Sequence, residues 1–255
     1  MNEDERIDHP TWFNTRQIEP DIYLTTEDYY YAGNRSNIWL IRGTNRDVLI
    51  DTGLGVCNLK KHLEKQSLLD NDRECIVICT HAHFDHSGGA HHFDHVLIHE
   101  DDYEGLKNGD PSSTLNWSQP SHFRDKPHPQ FQAHQYRVPP TKCIPISDGY
   151  RIDLADENDY LEIIHVPGHT PGSILCYYPK RKLLFTGDFV YECGHGSSLF
   201  DWTSRASIED YVKSAYRMID WFKSHEIDDI YTGHYNKLIV EDVQKLLKEY
   251  IDSKT

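Results

Sequence analysis

The sequence predicts a mixed α/β (α+β) fold of layered sheets and helices, on three observations. Its 255 residues are a length that one layered domain reaches, and folding at that size removes roughly three-quarters of the unfolded surface from water. Short apolar runs bounded by Gly, Asp and Pro dominate the first half, and stretches of helical period stand between and after them. There is no internal repeat and no sign of a second domain. The expectation is therefore a single domain over 1–255, with an insertion at 108–135.

Each element follows from local pattern. Residues 36–41 and 47–50 read as strands joined by a turn over 43–46. The stretch 58–69 carries apolar residues near helical spacing and precedes a strand at 75–79. Ser87 is a candidate cap for a helix over 87–93. Further strands are expected at 96–98, 161–166, 173–178 and 183–185. A helix at 207–222 opens on Ser-x-x-Asp (Ser207, Asp210), an approximate capping signal. A strand at 230–232 and an amphipathic helix at 241–250 complete the chain. The insertion holds prolines 111, 120, 127 and 129 with Trp117, Phe123 and Phe131, and has no period. Such an excursion is a functional loop, read here as a substrate lid, or a disordered insert.

Composition excludes several classes. With 26 Lys and Arg against 41 Asp and Glu, the formal charge of −15 repels phosphate backbones. Only short basic clusters such as Lys180-Arg181-Lys182 oppose it, so no nucleic acid partner is expected. An anionic small molecule still fits one local pocket of opposite sign. The six cysteines show no C-x-x-C spacing and several sit in apolar runs, which reads as buried reduced thiols. The acidic N-terminus is not a secretory signal. No apolar run approaches the roughly 18 residues that cross a bilayer. These features predict a reducing, cytoplasmic setting without a transmembrane segment.

The strongest chemical signal is Thr80-His81-Ala82-His83-Phe84-Asp85-His86, directly after a β-rich run. In extended chain His81 and His83 point to one face. A turn after Phe84 would swing Asp85 and His86 to a neighbouring position, so the segment can offer two ligands to each of two cations. Imidazole and carboxylate suit Zn²⁺, and Fe and Mn accept them too. A His-rich surface loop is the alternative in a chain with 17 histidines. Against it stand His169 in a Pro- and Gly-bounded turn, Asp188 closing an apolar run, and His234 closing another. Each lies beside a glycine that lets backbone crowd a site.

This set resembles the metallo-β-lactamase superfamily, whose H-x-H-x-D-H motif is followed by a lone His, an Asp and a final His. The resemblance covers about residues 20–240 and implies a four-layer αββα sandwich with metals at the strand edge. It implies two Zn²⁺, with Fe or Mn not excluded. His81, His83 and His169 would hold one ion, Asp85, His86 and His234 the other, and Asp188 would bridge them. Asp51, in Ile50-Asp51-Thr52-Gly53, matches the family's early Asp, which supports the site without binding metal. Zinc lowers the pKa of its water from 15.7 to near 7, and Asp85 would orient that nucleophile and accept its proton. No G-x-S-x-G elbow is present.

Fold alone does not fix the substrate. True β-lactamases carry Cys where Asp188 stands and are exported. Glyoxalase II enzymes append a helical domain, the processing nucleases add a basic arm or second domain, and persulfide dioxygenases bind a single iron. YAGNRSNIWL (31–40), VLIDTGL (48–54), FDHSGG (84–89), GDFVY (187–191), Asp201-Trp202, Ser204-Arg205 and Asp210-Tyr211-Val212 look like the metallo-β-lactamase domain-containing protein 2 family. That family is similar to acyl-coenzyme A thioesterases acting on long-chain substrates such as palmitoyl-CoA. The resemblance implies a small-molecule acyl thioester as partner. A thiolate of pKa near 8.5 leaves at neutral pH without a strong acid.

Remaining roles are read in that light. Tyr191 follows Asp188 as Asp-x-x-Tyr, which resembles quorum-quenching lactonases where the Tyr contacts the substrate carbonyl; a packed structural tyrosine is the alternative. His195 is a candidate acid or a solvent-facing loop residue. Arg35, Arg205 and Lys180–Lys182 are candidates for the CoA charges, with scattered surface cations as the alternative, and Trp202 with the aromatic insert for an acyl channel, with core packing as the alternative. The alternatives are a lactonase or β-lactam hydrolase on the same site, or a non-catalytic metal scaffold. The chain has no counterpart after its last helix to the family's longer tail with a lipidation cysteine, so only peripheral membrane contact is left open.

Overall fold

The computed structural model describes residues 8–70, 73–154, 158–193 and 199–255. One sheet runs in chain order through β1 (Phe13–Glu19), β2 (Ile22–Glu27), β3 (Ile38–Arg42), β4 (Arg46–Ile50), β5 (Glu74–Cys79), β6 (Val96–His99) and β7 (Ile144–Ile146). It is antiparallel from β1 to β4 and parallel from β4 to β7. The second sheet is ordered β12 (Asp229–Tyr231), β11 (Leu183–Phe185), β10 (Ile174–Tyr178), β9 (Tyr160–His165) and β8 (Arg151–Asp153). Only its β11–β12 pair is parallel.

Alternation along the strands explains the layering. In β4 and β5, Val48, Ile50, Ile76 and Ile78 face the second sheet, where they meet Leu161, Ile163, Ile174 and Phe185 in one buried cluster. Leu49, Val77 and Cys79 point the other way, into a second cluster with Leu59, Leu63 and Leu106. Those leucines come from α1 (Leu59–Lys65) and α3 (Glu100–Asn108). The opposite face of the second sheet, Ile164, Leu175 and Leu184, packs on α5 (Ile208–Trp221) and α6 (Val240–Lys254). The helices supply Tyr211, Ala215, Met218, Val243, Leu247 and Ile251, at spacings of three, four and seven. Strands covered on both faces read as continuous apolar runs. The result is the expected αββα order.

Two short helices complete the first layer, α2 (Phe84–Ser87) and α4 (Pro111–Thr114). The α2 turn begins three residues before the expected start, and Ser87 ends it rather than capping it. Its hydroxyl donates back to the Ala82 carbonyl at 2.8 Å and lies 3.1 Å from the i−4 carbonyl of His83, the acceptor a helical serine commonly uses. Sequence pattern also missed β1, β2, β7, β8 and α3. The polar run Asn14-Thr15-Arg16-Gln17 in β1 hides an edge strand, and β7 and β8 have three residues each. No helix among the described residues is long and apolar enough to cross a membrane.

Candidate metal centre

The candidate ligands gather at one end of the sandwich because each follows a strand. His81, His83, Asp85 and His86 come after β5, His169 after β9, Asp188 after β11 and His234 after β12. All are buried. The turn expected after Phe84 is supplied by α2, which carries Asp85 and His86. At Gly233 a Cβ would lie 2.6 Å from Asp188 Oδ1, so only glycine lets the two loops meet.

The donors form linked groups whose ligand atoms lie within 4.8 Å of one another: His81–His83–His169, His81–His86–Asp188 and Asp85–His86–His234. Asp188 stands between the outer two. Its Oδ1 is 3.1 Å from His86 Nε2 and 3.2 Å from His234 Nε2, while its Oδ2 is 3.6 Å from His169 Nε2. Asp85 Oδ2 lies 3.5 Å from His234 Nε2 and 3.7 Å from His86 Nε2.

Outer partners decide which nitrogens carry protons. His86 Nδ1 donates to Asp51 Oδ2 at 2.7 Å, His234 Nδ1 to the Arg35 carbonyl at 3.0 Å, and His169 Nδ1 to the Phe200 carbonyl at 2.8 Å. Thr80 donates its hydroxyl to Asp51 at 2.9 Å, so its oxygen accepts from His81 Nδ1 at 3.1 Å. Each of these four rings therefore turns an Nε2 lone pair inward. His86 and His234 face each other at 3.2 Å, His81 Nε2 has no hydrogen-bond partner, and neither contact of Asp188 Oδ1 has hydrogen-bond geometry. Lone pairs and a carboxylate converging in a buried space need positive charge, either protons or cations. The donor set and the orphaned atoms thus fit divalent metals.

The protonation directions agree. Burial pushes His81 and His83 well below the usual imidazole range, and neighbouring imidazoles push them further. At His86 burial pulls the same way, but Asp188, Asp51 and Asp85 outweigh it and leave it well above. Burial raises Asp188, yet His234 and His86 overcome it and hold the carboxylate well below its ordinary value. A cation entering this centre displaces protons.

Tyr191 is buried at the centre's mouth, its ring 5.1 Å from that of His234. Burial holds its phenol well above the usual range, so it stays a neutral donor, and its hydroxyl has no partner among the described residues. A cavity of about 40 Å³ connects Tyr191 with Asp85, Asp188 and His234 and is walled by Leu115, Trp117 and Phe200. Leu115 and Trp117 belong to the insertion, which thus reaches the centre.

Other expected residues are placed differently. Trp202 is 61% exposed and stacks on Trp117 at 4.8 Å, outside the cavity wall. Arg35 turns its side chain to Asp28 at 3.4 Å while its carbonyl holds His234. Arg205 pairs with buried Asp102 at 3.4 Å. Lys180, Arg181 and Lys182 lie at the far end of the sandwich, in the β10–β11 turn. Each is matched there to an acid at 2.6 Å, respectively Asp159, Glu19 and Glu226. They match the alternative of scattered surface cations, because a β10–β11 hairpin leaves the centre's end of the sheet. His195 lies outside the described residues.

Sequence reasoning found Asp51 but missed Thr80 and the carbonyls of Arg35 and Phe200. Backbone acceptors have no sequence signature. His99, Asp101 and His165 also bring ligand atoms together. Their imidazoles stack at 3.7 Å and 13°, however, and His165 Nε2 donates to the Pro171 carbonyl at 2.8 Å. Parallel rings have no common in-plane point for a cation, so that trio is a packing contact.

The profile of the Metallo-beta-lactamase superfamily matches residues 32–234. Acyl-coenzyme A thioesterase MBLAC2 from Homo sapiens is 37% identical over 250 residues, covering 94% of this chain and 87% of that protein. The Gallus gallus protein of the same name is 34% identical over 246 residues, with the same coverage. Among solved structures, DIM-1 metallo-beta-lactamase aligns with TM-score 0.67 at 18% identity, over 95% of this chain and 98% of that one. A metallo-beta-lactamase family protein of Thermus thermophilus aligns with TM-score 0.65 at 22% identity, over 93% and 80%. At those identities the structures attest the fold.

Proposed function

The chain belongs to the metallo-β-lactamase superfamily, and on that footing we propose that it is a metal-dependent hydrolase of acyl-coenzyme A thioesters. The observation that carries this reading is the inward convergence of acceptor atoms on Asp188, beside a buried phenol whose hydroxyl has no partner among the described residues. In this reading His81, His83 and His169 would hold one divalent ion and Asp85, His86 and His234 a second, with Asp188 available to both. Zinc is the metal proposed, with iron and manganese as the other cations these donors accept. Bound there, such ions supply Lewis acidity that brings the ionisation of water near neutral pH and polarises a carbonyl.

The chain's own residues do the rest. Asp85 orients the attacking water and takes its proton. Tyr191 donates a hydrogen bond to the carbonyl oxygen, where charge develops as the carbonyl is attacked. The leaving thiolate needs no strong acid, because its pKa of roughly 8.5 lets it depart at neutral pH. The small cavity holds the reacting group and excludes bulk water, and the acyl chain follows the wall of Leu115, Trp117 and Phe200. A single domain over 1–255 and a cytoplasmic setting remain parts of this proposal.

The test is release of free thiol from palmitoyl-CoA by zinc-loaded protein, with Asp85→Ala as control. Zinc-dependent release that is lost in the variant supports the reading. No release from fully metallated protein overturns it and directs the same assay to lactones, which Tyr191 would also serve.

A further inference from the structure

A buried carboxylate that the reaction does not use sits behind the three-histidine group. Asp102, near the start of α3, is fully buried. Its Oδ2 accepts from Ala82 N at 3.1 Å and from the Thr170 hydroxyl at 2.7 Å. Its Oδ1 accepts from Gly172 N at 3.3 Å. Ala82 lies between His81 and His83, and Thr170 follows His169. One carboxylate from the first layer therefore ties together loops that leave different sheets. The fit is close: a Cβ on Gly172 would lie 2.7 Å from Asp102. Arg205 supplies the countercharge at 3.4 Å and donates to the Asp101 carbonyl at 3.1 Å. A buried, hydrogen-bonded charge with its own counterion is costly unless every bond is kept.

We propose that Asp102, neutralised by Arg205, is a positioning residue that sets the metal affinity of the His81–His83–His169 group and leaves the Asp85–His86–His234 group alone. It touches no imidazole. It acts by fixing the distance between the 81–83 and 169–172 backbones, and thereby the aperture into which three ring nitrogens point. Nothing in the second group contacts it. The inference rests on the reading that both groups bind divalent ions.

The experiment is a zinc titration of metal-stripped full-length protein, followed by calorimetry, for the unsubstituted chain, Asp102→Asn and Thr170→Val. His169→Ala and His234→Ala identify which binding step belongs to which group. Asp102→Asn is expected to weaken the step lost in His169→Ala by about 10- to 100-fold, the range for residues supporting metal ligands. The step lost in His234→Ala should stay within twofold. Thr170→Val, which removes one donor and keeps the carboxylate, should weaken the same step by a smaller factor and serves if Asp102→Asn does not fold. Equal shifts of both steps, or no shift, overturn the proposal. Absence of zinc uptake by the unsubstituted chain overturns the metal reading instead, and this inference with it.

Discussion

The two donor groups are braced in different ways. Asp51 works on rings: it accepts from His86 Nδ1 directly and reaches His81 through the Thr80 hydroxyl, while also accepting from Thr80 N at 2.8 Å. Asp102 works on backbone, through Ala82 and Gly172, and on the Thr170 hydroxyl. Asp51 thereby sets tautomers and ring basicity in both groups, whereas Asp102 sets spacing in one. Even the backbone of Asp51 is unusual, with φ of +63° in a residue that is not glycine, a left-handed conformation that Asp tolerates and that recurs where a site is pre-shaped. Support for a metal centre is thus divided between a group that tunes ligands and a group that spaces them.

The contrast can be broken experimentally, starting where the effect is largest. Asp188→Ala removes the contact common to both groups, so zinc uptake should fall in both steps. Thiol release should drop by more than the ~10²–10³-fold that losing one preorganised electrostatic group costs. Retained activity would detach Asp188 from the chemistry.

A second test uses the loop that leaves Asp51. Leu54 N donates to buried Glu27 Oε2 at 2.9 Å, Trp12 donates to Oε1 at 2.9 Å, and the Leu54 carbonyl accepts from Tyr136 at 2.5 Å. Burial raises the Glu27 carboxyl from 4.5 to about 7. Its hydrogen bonds to Trp12 and Leu54 oppose the rise, as does Arg35, and the charge of Asp85 adds to it. The folded chain therefore holds a proton that the unfolded chain releases between those values. Stability from this group is full below about pH 4.5, declines as pH rises to 7, and is gone above. The difference is about 3 kcal/mol. Urea unfolding at pH 5 and pH 8 should show it, and Glu27→Gln should flatten the slope; an unchanged slope would assign the dependence elsewhere.

Asp51→Asn comes next. It should weaken both zinc steps, each by about 10- to 100-fold, where Asp102→Asn weakens one. If Asp51→Asn also spares a step, the division into ring and backbone support fails. The smallest effect is expected of Tyr191→Phe. It removes one donor where the proposed metals would already stabilise charge, so turnover should fall about tenfold with zinc affinity unchanged. A change in affinity instead would make Tyr191 part of the metal site's packing.

How much of this was legible beforehand follows from the chemistry of each residue. His81, His83, Asp85, His86, His169, Asp188 and His234 stood out because donor residues at strand ends beside glycines form a pattern in one dimension. Asp102 did not, since it stands in the acidic run Glu100-Asp101-Asp102 of a helix that sequence pattern missed, and such a run carries no ligand spacing of its own. Arg205 and Lys180–Lys182 are candidates for a substrate's charges, or scattered surface cations, as far as sequence goes, because charge does not say which acid a cation meets in space.

By itself, therefore, the sequence determined the layered fold and the donor set, because period-two burial and ligand chemistry are local properties that survive unfolding. Only the tertiary structure decided which lone pairs point inward, which carboxylate braces which group, and which cations lie far from the centre. Those depend on carbonyls, hydroxyls and charges from segments distant in the chain, brought within about 3 Å by packing.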